Sequence, residues 1–339
     1  MKTGISYFGV RNPKWVRKDM RAIKEAGFDY VLHTFSEADL QYYPQTMKEI
    51  IALSKEEGLG VYTNPWGVGR VFGGEAYSEL TARNKEMGQI SLDGEALIAA
   101  CPNSKGFREY MQKWIKNVCE SEVETIFWDE PHFYFEKNKT VSACRCSVCS
   151  KLYREQTGEE IPETLSEKFN AFRQRSLVSF LSFVTEEVHK FGKRNSVCLL
   201  PPWFPAGLEN WDEVAALPCV DEIGSDPYWE KGDALERVQK IYGETSVRIA
   251  DLAKKYGKEA QMWVKNYHIE AGTEHFIKEA TEISVNAGIT NIFAWSYLGS
   301  KYMDWLRSDN PELVWETQIK ALSLAKAHFI HYNYATNCK

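Results

Sequence analysis

A chain of 339 residues that is 44% hydrophobic and 26% charged carries enough apolar material for one large core, which excludes the disordered, fibrous and coiled-coil classes. Its formal net charge of -6 leaves no basic field to hold phosphates, so no nucleic acid partner is expected; no apolar run approaches the roughly 18 residues of a membrane-spanning helix, so none is expected in a membrane. The aromatic residues (11 Trp, 17 Tyr and 17 Phe) are the compositional excess, and they point to an organic ligand with apolar faces, such as a sugar.

In chain order, short β-branched or aromatic runs bounded by turn residues predict strands at 4–10, 30–35, 60–64, 125–129, 196–200, 222–226, 261–267 and 291–297. Amphipathic segments between them predict helices. Residues 13–26 have Pro13 at the start and Gly27 just past the end, the expected asymmetry of helix boundaries. Residues 165–191 form the longest helical pattern, and 234–256 read as one helix or two. Eight strand-then-helix units predict an α/β fold of the (β/α)8 type, a TIM barrel, in preference to a doubly wound sheet. Tyr7-Phe8-Gly9-Val10-Arg11-Asn12 stands where a dinucleotide fold would carry G-x-G-x-x-G. Two stretches exceed a minimal barrel, 71–117 after strand three and 136–165 after strand four. No Pro/Gly/Ser-rich linker divides the chain, so a single barrel domain over 1–339 with a Cys-rich insertion at 136–165 is expected. The N-terminus lacks the apolar stretch and small-residue cleavage site of a secretory signal, which predicts a cytoplasmic protein.

In such a barrel the reactive groups come from the C-terminal ends of the strands and the loops that follow. Strand four ends Phe127-Trp128-Asp129-Glu130-Pro131-His132-Phe133, two adjacent carboxylates among aromatics. Apolar surroundings raise a carboxyl's pKa, as a general acid near neutral pH requires. Asp129 and Glu130 are therefore candidate catalytic residues; a helix-capping or surface acid pair is the alternative. Strand six ends Ser225-Asp226-Pro227-Tyr228-Trp229, which makes Asp226 a second candidate carboxylate and Tyr228 a candidate sugar contact; Asp-Pro also starts ordinary turns. Strand seven alternates so that Gln261, Trp263, Lys265 and Tyr267 share one face, with Met262 and Val264 on the other. Lys265 would then enter the barrel and need a partner, with the strand-end acids as candidates. Glu270, in the following loop, reads either as a nucleophile or as a helix-start acid. Trp66 and Arg70 after strand three and Trp295 on strand eight, with Trp263, Lys265 and Tyr267, complete the candidate substrate-binding set.

Cys144-Arg145-Cys146-Ser147-Val148-Cys149 is a C-x-C-x2-C run, three thiolates that leave one position of a tetrahedral metal site open. The remaining thiols, Cys101, Cys119, Cys198, Cys219 and Cys338, are the candidates for that position; Cys119 and Cys198 read as core.

The run Cys101-Pro102-Asn103-Ser104, then a helix containing Phe107-Arg108-Glu109-Tyr110, then a strand ending in an acidic pair, then C-x-C-x2-C with Leu152-Tyr153, resembles the zinc-containing bacterial β-galactosidases. Those enzymes belong to the large clan of retaining (β/α)8 glycosidases. The resemblance covers residues 100–158 and the general strand order. It implies a structural zinc on Cys101, Cys144, Cys146 and Cys149, and Glu130 as the acid/base. Asp129 stands where the clan has Asn, and Lys265 and Tyr267 occupy the strand that ends in the clan's nucleophile. The expectation is a distant glycoside hydrolase with a carbohydrate substrate. A lyase or Schiff-base aldolase using Lys265, and a non-catalytic carbohydrate-binding barrel, are the alternatives. The sequence leaves the sugar and the oligomeric state open.

Overall fold

The computed structural model describes residues 1–135, 142–204 and 208–337. Cys338, one of the candidate thiols, and the charged stretch 136–141 lie outside the described residues. In chain order the elements are β1 (Lys2–Tyr7), α1 (Pro13–Glu25), β2 (Tyr30–Thr34), α2 (Glu37–Tyr42), α3 (Pro44–Glu56), β3 (Gly60–Asn64), α4 (Leu80–Arg83), β4 (Gly88–Ile90), β5 (Ala96–Ala100), α5 (Lys105–Cys119) and β6 (Thr125–Asp129). There follow α6 (Ser147–Thr157), α7 (Glu167–His189), β7 (Arg194–Leu199), α8 (Trp211–Ala215), β8 (Glu222–Ser225), α9 (Leu235–Tyr256), β9 (Glu259–Lys265), α10 (His275–Asn286), β10 (Asn291–Trp295) and α11 (Pro311–Asn337). Eight strands close into one barrel in the order β1-β10-β9-β8-β7-β6-β3-β2, the (β/α)8 fold, while β4 and β5 pair separately as an antiparallel hairpin.

Each of the eight predicted strands is present. β9 and β10 stop two residues earlier than the alternation predicts, at Lys265 and Trp295, so Tyr267 lies in the loop beyond β9 and does not share a strand face with Lys265. The helix starts are built as the sequence implies: Asn12 caps α1 by accepting from Lys14 N at 3.0 Å, with Pro13 in the first turn. Residues 235–256 are one helix.

The chain forms two compact units, Met1–Thr34 with Glu49–Tyr62 and Glu222–Lys339, and Phe35–Lys48 with Thr63–Asp221. In the first, the aromatic rings of Tyr30, Tyr62, Trp263 and Phe293 fill the space between strands; Phe293 lies 4.9 Å from Tyr62 and 5.3 Å from Trp263, ring centre to ring centre. Gly4 on β1 makes this possible: a Cβ there would come within 2.3 Å of the Phe293 ring, so only glycine lets so large a side chain pass the strand. Beside the rings, the buried carboxylate of Glu222 accepts from Tyr62 Oη at 3.2 Å, from Gln261 Nε2 at 3.1 Å and from Asn291, which satisfies a charge that burial would otherwise penalise heavily.

In the second unit, the long connection from β3 to β6 carries the hairpin and α5, and the connection from β6 to β7 carries α6 and α7. Together they enclose an apolar cluster that includes Leu92, Phe133, Tyr153, Phe169 and Phe172 along with Cys101, Cys144 and Cys149. The insertions therefore have a core of their own.

Candidate active site

The acidic pair sits where β6 ends. Asp129 is the last residue of the strand and is 9% exposed; Glu130 follows it, half-buried, with φ +43. That left-handed conformation at a non-glycine residue turns the chain sharply out of the strand, while Glu130 N still donates to Cys198 O on β7 at 3.0 Å.

Residues 66–79, which follow β3, press back onto this point. Gly73 N donates to the backbone oxygen of Asp129 at 2.9 Å. A Cβ on Gly73 would lie 2.6 Å from Glu130 Oε2 and 3.3 Å from the carboxyl carbon of Asp129, so both carboxyl groups converge on one backbone position where any side chain would displace them. Asn64, the last residue of β3, donates its amide to Asp129 Oδ2 at 3.2 Å, and its own Oδ1 is buried with no hydrogen-bond partner among the described residues. Trp66 is half-buried and donates its indole N–H to Glu75 Oε2 at 3.1 Å. Burial pushes the Asp129 carboxyl well above the usual carboxylate range; the Glu130 and Glu75 charges add to the rise and the Asn64 hydrogen bond opposes it. His132 shares its Nδ1 with the carbonyl oxygen of Glu130, and burial, assisted by the Arg70 charge, pushes its pKa down to about 4, so the ring is neutral at pH 7.

Glu75 and Asn64 are site residues that the sequence does not single out. Glu75 lies in an irregular, glycine-rich stretch with no periodicity to orient it. Asn64 is legible as a strand-end residue, but nothing in its neighbours shows that it faces an acid presented by β6.

The first unit holds the other candidates. Asp226 follows β8, is 7% exposed, and its carbonyl accepts from Tyr228 N at 2.6 Å. The rings of Tyr228 and Tyr267 meet edge to face, 5.5 Å apart. Lys265 is buried; its Nζ donates to the Trp229 carbonyl at 2.7 Å and lies 5.5 Å from the Trp229 ring centre and 5.3 Å from that of Tyr267. A carbonyl dipole and two aromatic faces thus meet the ammonium. Glu270 accepts from Gly232 N at 2.6 Å, with Lys231 at 4.0 Å, which ties it to the turn after β8. Trp263, expected on the binding surface, is 1% exposed; its indole donates to Gln261 and packs on Phe293, so it belongs to the core, because the inward face of β9 is filled by its own barrel neighbours. Trp295 ends β10, 6% exposed, stacked on Phe8 at 5.0 Å.

The sequence matches no family model and no curated protein. Solved structures match it over nearly its whole length. A glycosidase of the GH5_18 group from Bifidobacterium longum subsp. longum is 11% identical with a TM-score of 0.57, covering 96% of this chain and 79% of that one. A putative alpha-L-fucosidase from Bacteroides thetaiotaomicron is 9% identical with a TM-score of 0.56, covering 96% and 93%. A D-psicose 3-epimerase crystallised in the presence of D-fructose is 13% identical with a TM-score of 0.51, covering 96% and 98%. At these identities the likeness establishes the barrel and leaves the chemistry to the residues.

A second constellation lies within the insertions. Cys101, Cys144, Cys146 and Cys149 bring four sulfurs within 4.8 Å of one another, and the first, second and fourth are wholly buried. Cys101 Sγ is 3.4 Å from Cys149 Sγ and 3.7 Å from Cys146 Sγ. Tetrahedral thiolate coordination with metal–sulfur bonds near 2.3 Å places sulfurs about 3.8 Å apart, so the donor set fits a metal ion of that kind. N–H groups already point at the sulfurs: Ile90 N and Cys146 N donate to Cys144 Sγ at 3.5 and 3.4 Å, and Asn103 Nδ2 donates to Cys149 Sγ at 3.4 Å. Such donors stabilise thiolates.

Proposed function

We propose that the protein is a glycoside hydrolase whose acid catalyst is the Asp129–Glu130 pair. The observation that supports this reading is a buried carboxyl at a barrel strand end, in register with a second carboxyl over Gly73, whose pKa burial and two neighbouring carboxylates raise. An unprotonated glycosidic oxygen would leave as a strongly basic alkoxide, a poor leaving group, so its departure at neutral pH needs a proton. Asp129 is the buried member and Glu130 the more exposed one; the pair holds one proton between its two carboxyls, Glu130 is the member that delivers it to the leaving oxygen, and Asp129, with Asn64 fixing one of its oxygens, shares the negative charge left behind. Trp66, oriented by Glu75, offers an indole face to the sugar ring.

The mechanism needs a second carboxylate as nucleophile or base. Glu75 is a candidate from the second unit, because its charge is felt at Asp129. Asp226 and Glu270 remain the candidates that the sequence supplies from the first. Anion rescue tells them apart by stereochemistry: an alanine variant of the nucleophile regains turnover with azide and yields a glycosyl azide of inverted configuration, whereas rescue of the acid/base variant yields the retained anomer.

We further propose that Cys101, Cys144, Cys146 and Cys149 hold one structural zinc. Four thiolates fill the tetrahedral shell and leave no position for water or substrate, so the metal's contribution is to fold the insertion that follows β6.

The reading of Lys265 as a Schiff-base nucleophile needs a neutral amine. A carbonyl acceptor at 2.7 Å and two aromatic faces favour the ammonium instead. Borohydride reduction in the presence of a carbonyl substrate tests this: a stable adduct at Lys265 replaces the glycosidase reading with an aldolase-type one.

A further inference from the structure

The segment that brings Glu75 to the acid pair continues into the wall of a separate cavity. Ala76 and Tyr77, together with α2 and α4, line a cleft of about 570 Å³ in the second unit. Two tyrosines stand at it almost free of core contact, Tyr77 94% exposed and Tyr42 63% exposed, with Leu80 buried beneath and Tyr110 half-buried. Arg83 pairs with Glu79 at 2.5 Å and hydrogen-bonds toward Tyr42, so a planar cation and a carboxylate line the same cleft as the rings. The wall is anchored: the Glu37 carboxylate on α2 accepts from Gly69 N at 2.8 Å, Ser78 Oγ at 2.6 Å and Glu79 N at 2.9 Å. One side chain thus fixes the segment that carries both Glu75 and the cavity wall.

We propose that this cleft is a saccharide subsite that takes sugar units beyond the one cleaved at Asp129 and Glu130, so that the substrate is an oligosaccharide or polysaccharide. The inference rests on the glycosidase reading above. Its chemistry is that of sugar recognition: solvent-facing phenol rings to meet the apolar C–H faces of a pyranose, and a planar Arg–Glu pair to bond its ring hydroxyls, in a cavity of the size that small ligands occupy. Residues 73–77 run from one place to the other: Gly73 N bonds the Asp129 backbone oxygen at 2.9 Å, Glu75 accepts from Trp66 at 3.1 Å, and Ala76 and Tyr77 line the cleft.

Tyr77→Ala and Tyr42→Ala test it, since both side chains are exposed and their loss leaves the fold in place. The measurement is kcat/KM on a nitrophenyl monoglycoside and on the oligosaccharide series of the same sugar, from two to six units. We expect wild-type kcat/KM to rise with chain length, and the ratio of the hexasaccharide value to the monoglycoside value to fall about tenfold in each variant. A wild type that cleaves the monoglycoside and gains nothing from length, or variants that keep the wild-type ratio, overturn the subsite and leave the glycosidase standing. A wild type that cleaves neither overturns the glycosidase reading. The cleft is then judged by titration calorimetry of the same hexasaccharides against wild type and Tyr77→Ala, where equal affinity or no binding overturns it too.

Discussion

Asn64 donates one hydrogen bond to Asp129 across 3.2 Å, and it is the interaction that favours the ionised form of a carboxyl which burial and two nearby charges drive toward the protonated one. Removing the donor as Asn64→Leu, a change close in volume, raises the Asp129 pKa further. The alkaline limb of the kcat/KM profile then moves to higher pH. A limb that stays in place, or moves down, separates the pH profile from Asp129.

The same carboxyl makes a stability prediction. Folding raises the pKa of Asp129, so above about pH 4 the native state keeps a proton that the unfolded chain has released. Its favourable contribution is complete below that pH and is lost as the pH rises through the native value. Relative to Asp129→Asn, which carries no titration, the wild type should lose thermal stability between pH 4 and neutrality. Parallel Tm curves for the two proteins over that range would show that Asp129 titrates normally.

Gly73→Ala puts a methyl group 2.6 Å from Glu130 Oε2, the movable end of a side chain. The carboxylate can swing aside, so the fold survives with a Tm change of only a few degrees. Its geometry does not survive, and a displacement of about 1 Å at a reacting group costs about 10²-fold in kcat. Near-wild-type kcat in Gly73→Ala would mean that Glu130 does not act from this position.

What could be read in advance was set by the range of the interactions involved. The eight barrel strands were legible because each is a short apolar run with its own turn residues, and Thr125–Asp129 and Gly60–Asn64 match to the residue. The strand-end position of Asp129 and Glu130 followed from that. The grouping of Cys101 with a Cys cluster more than 40 residues later followed from family resemblance, since spacing alone left five thiols open. What the sequence hid was set by tertiary approach. The Glu75 charge acts on Asp129 from a stretch whose backbone Gly73 lets come close to the acid pair, and Trp263 is core because Phe293 and Gln261 meet it inside the barrel.

The cysteine cluster predicts about one zinc per chain on metal analysis of the purified protein. Cys146→Ser, at the most exposed of the four cysteines, should lower the metal content and the Tm, and a chelator should lower thermal stability before it lowers activity at low temperature. Full Tm in a metal-free preparation would leave the four sulfurs as a thiol cluster only.

The role of Glu130 as the proton donor is tested most directly by hydrolysis of a panel of nitrophenyl glycosides and oligosaccharides by wild type and Glu130→Gln, with the fold of the variant checked by circular dichroism. The wild type should cleave at least one member. Glu130→Gln should lose roughly 10²–10⁴-fold in turnover on substrates with poor leaving groups, and much less on activated aryl glycosides that need no proton. Equal loss on both kinds of substrate, or unchanged turnover in Glu130→Gln, would contradict that role.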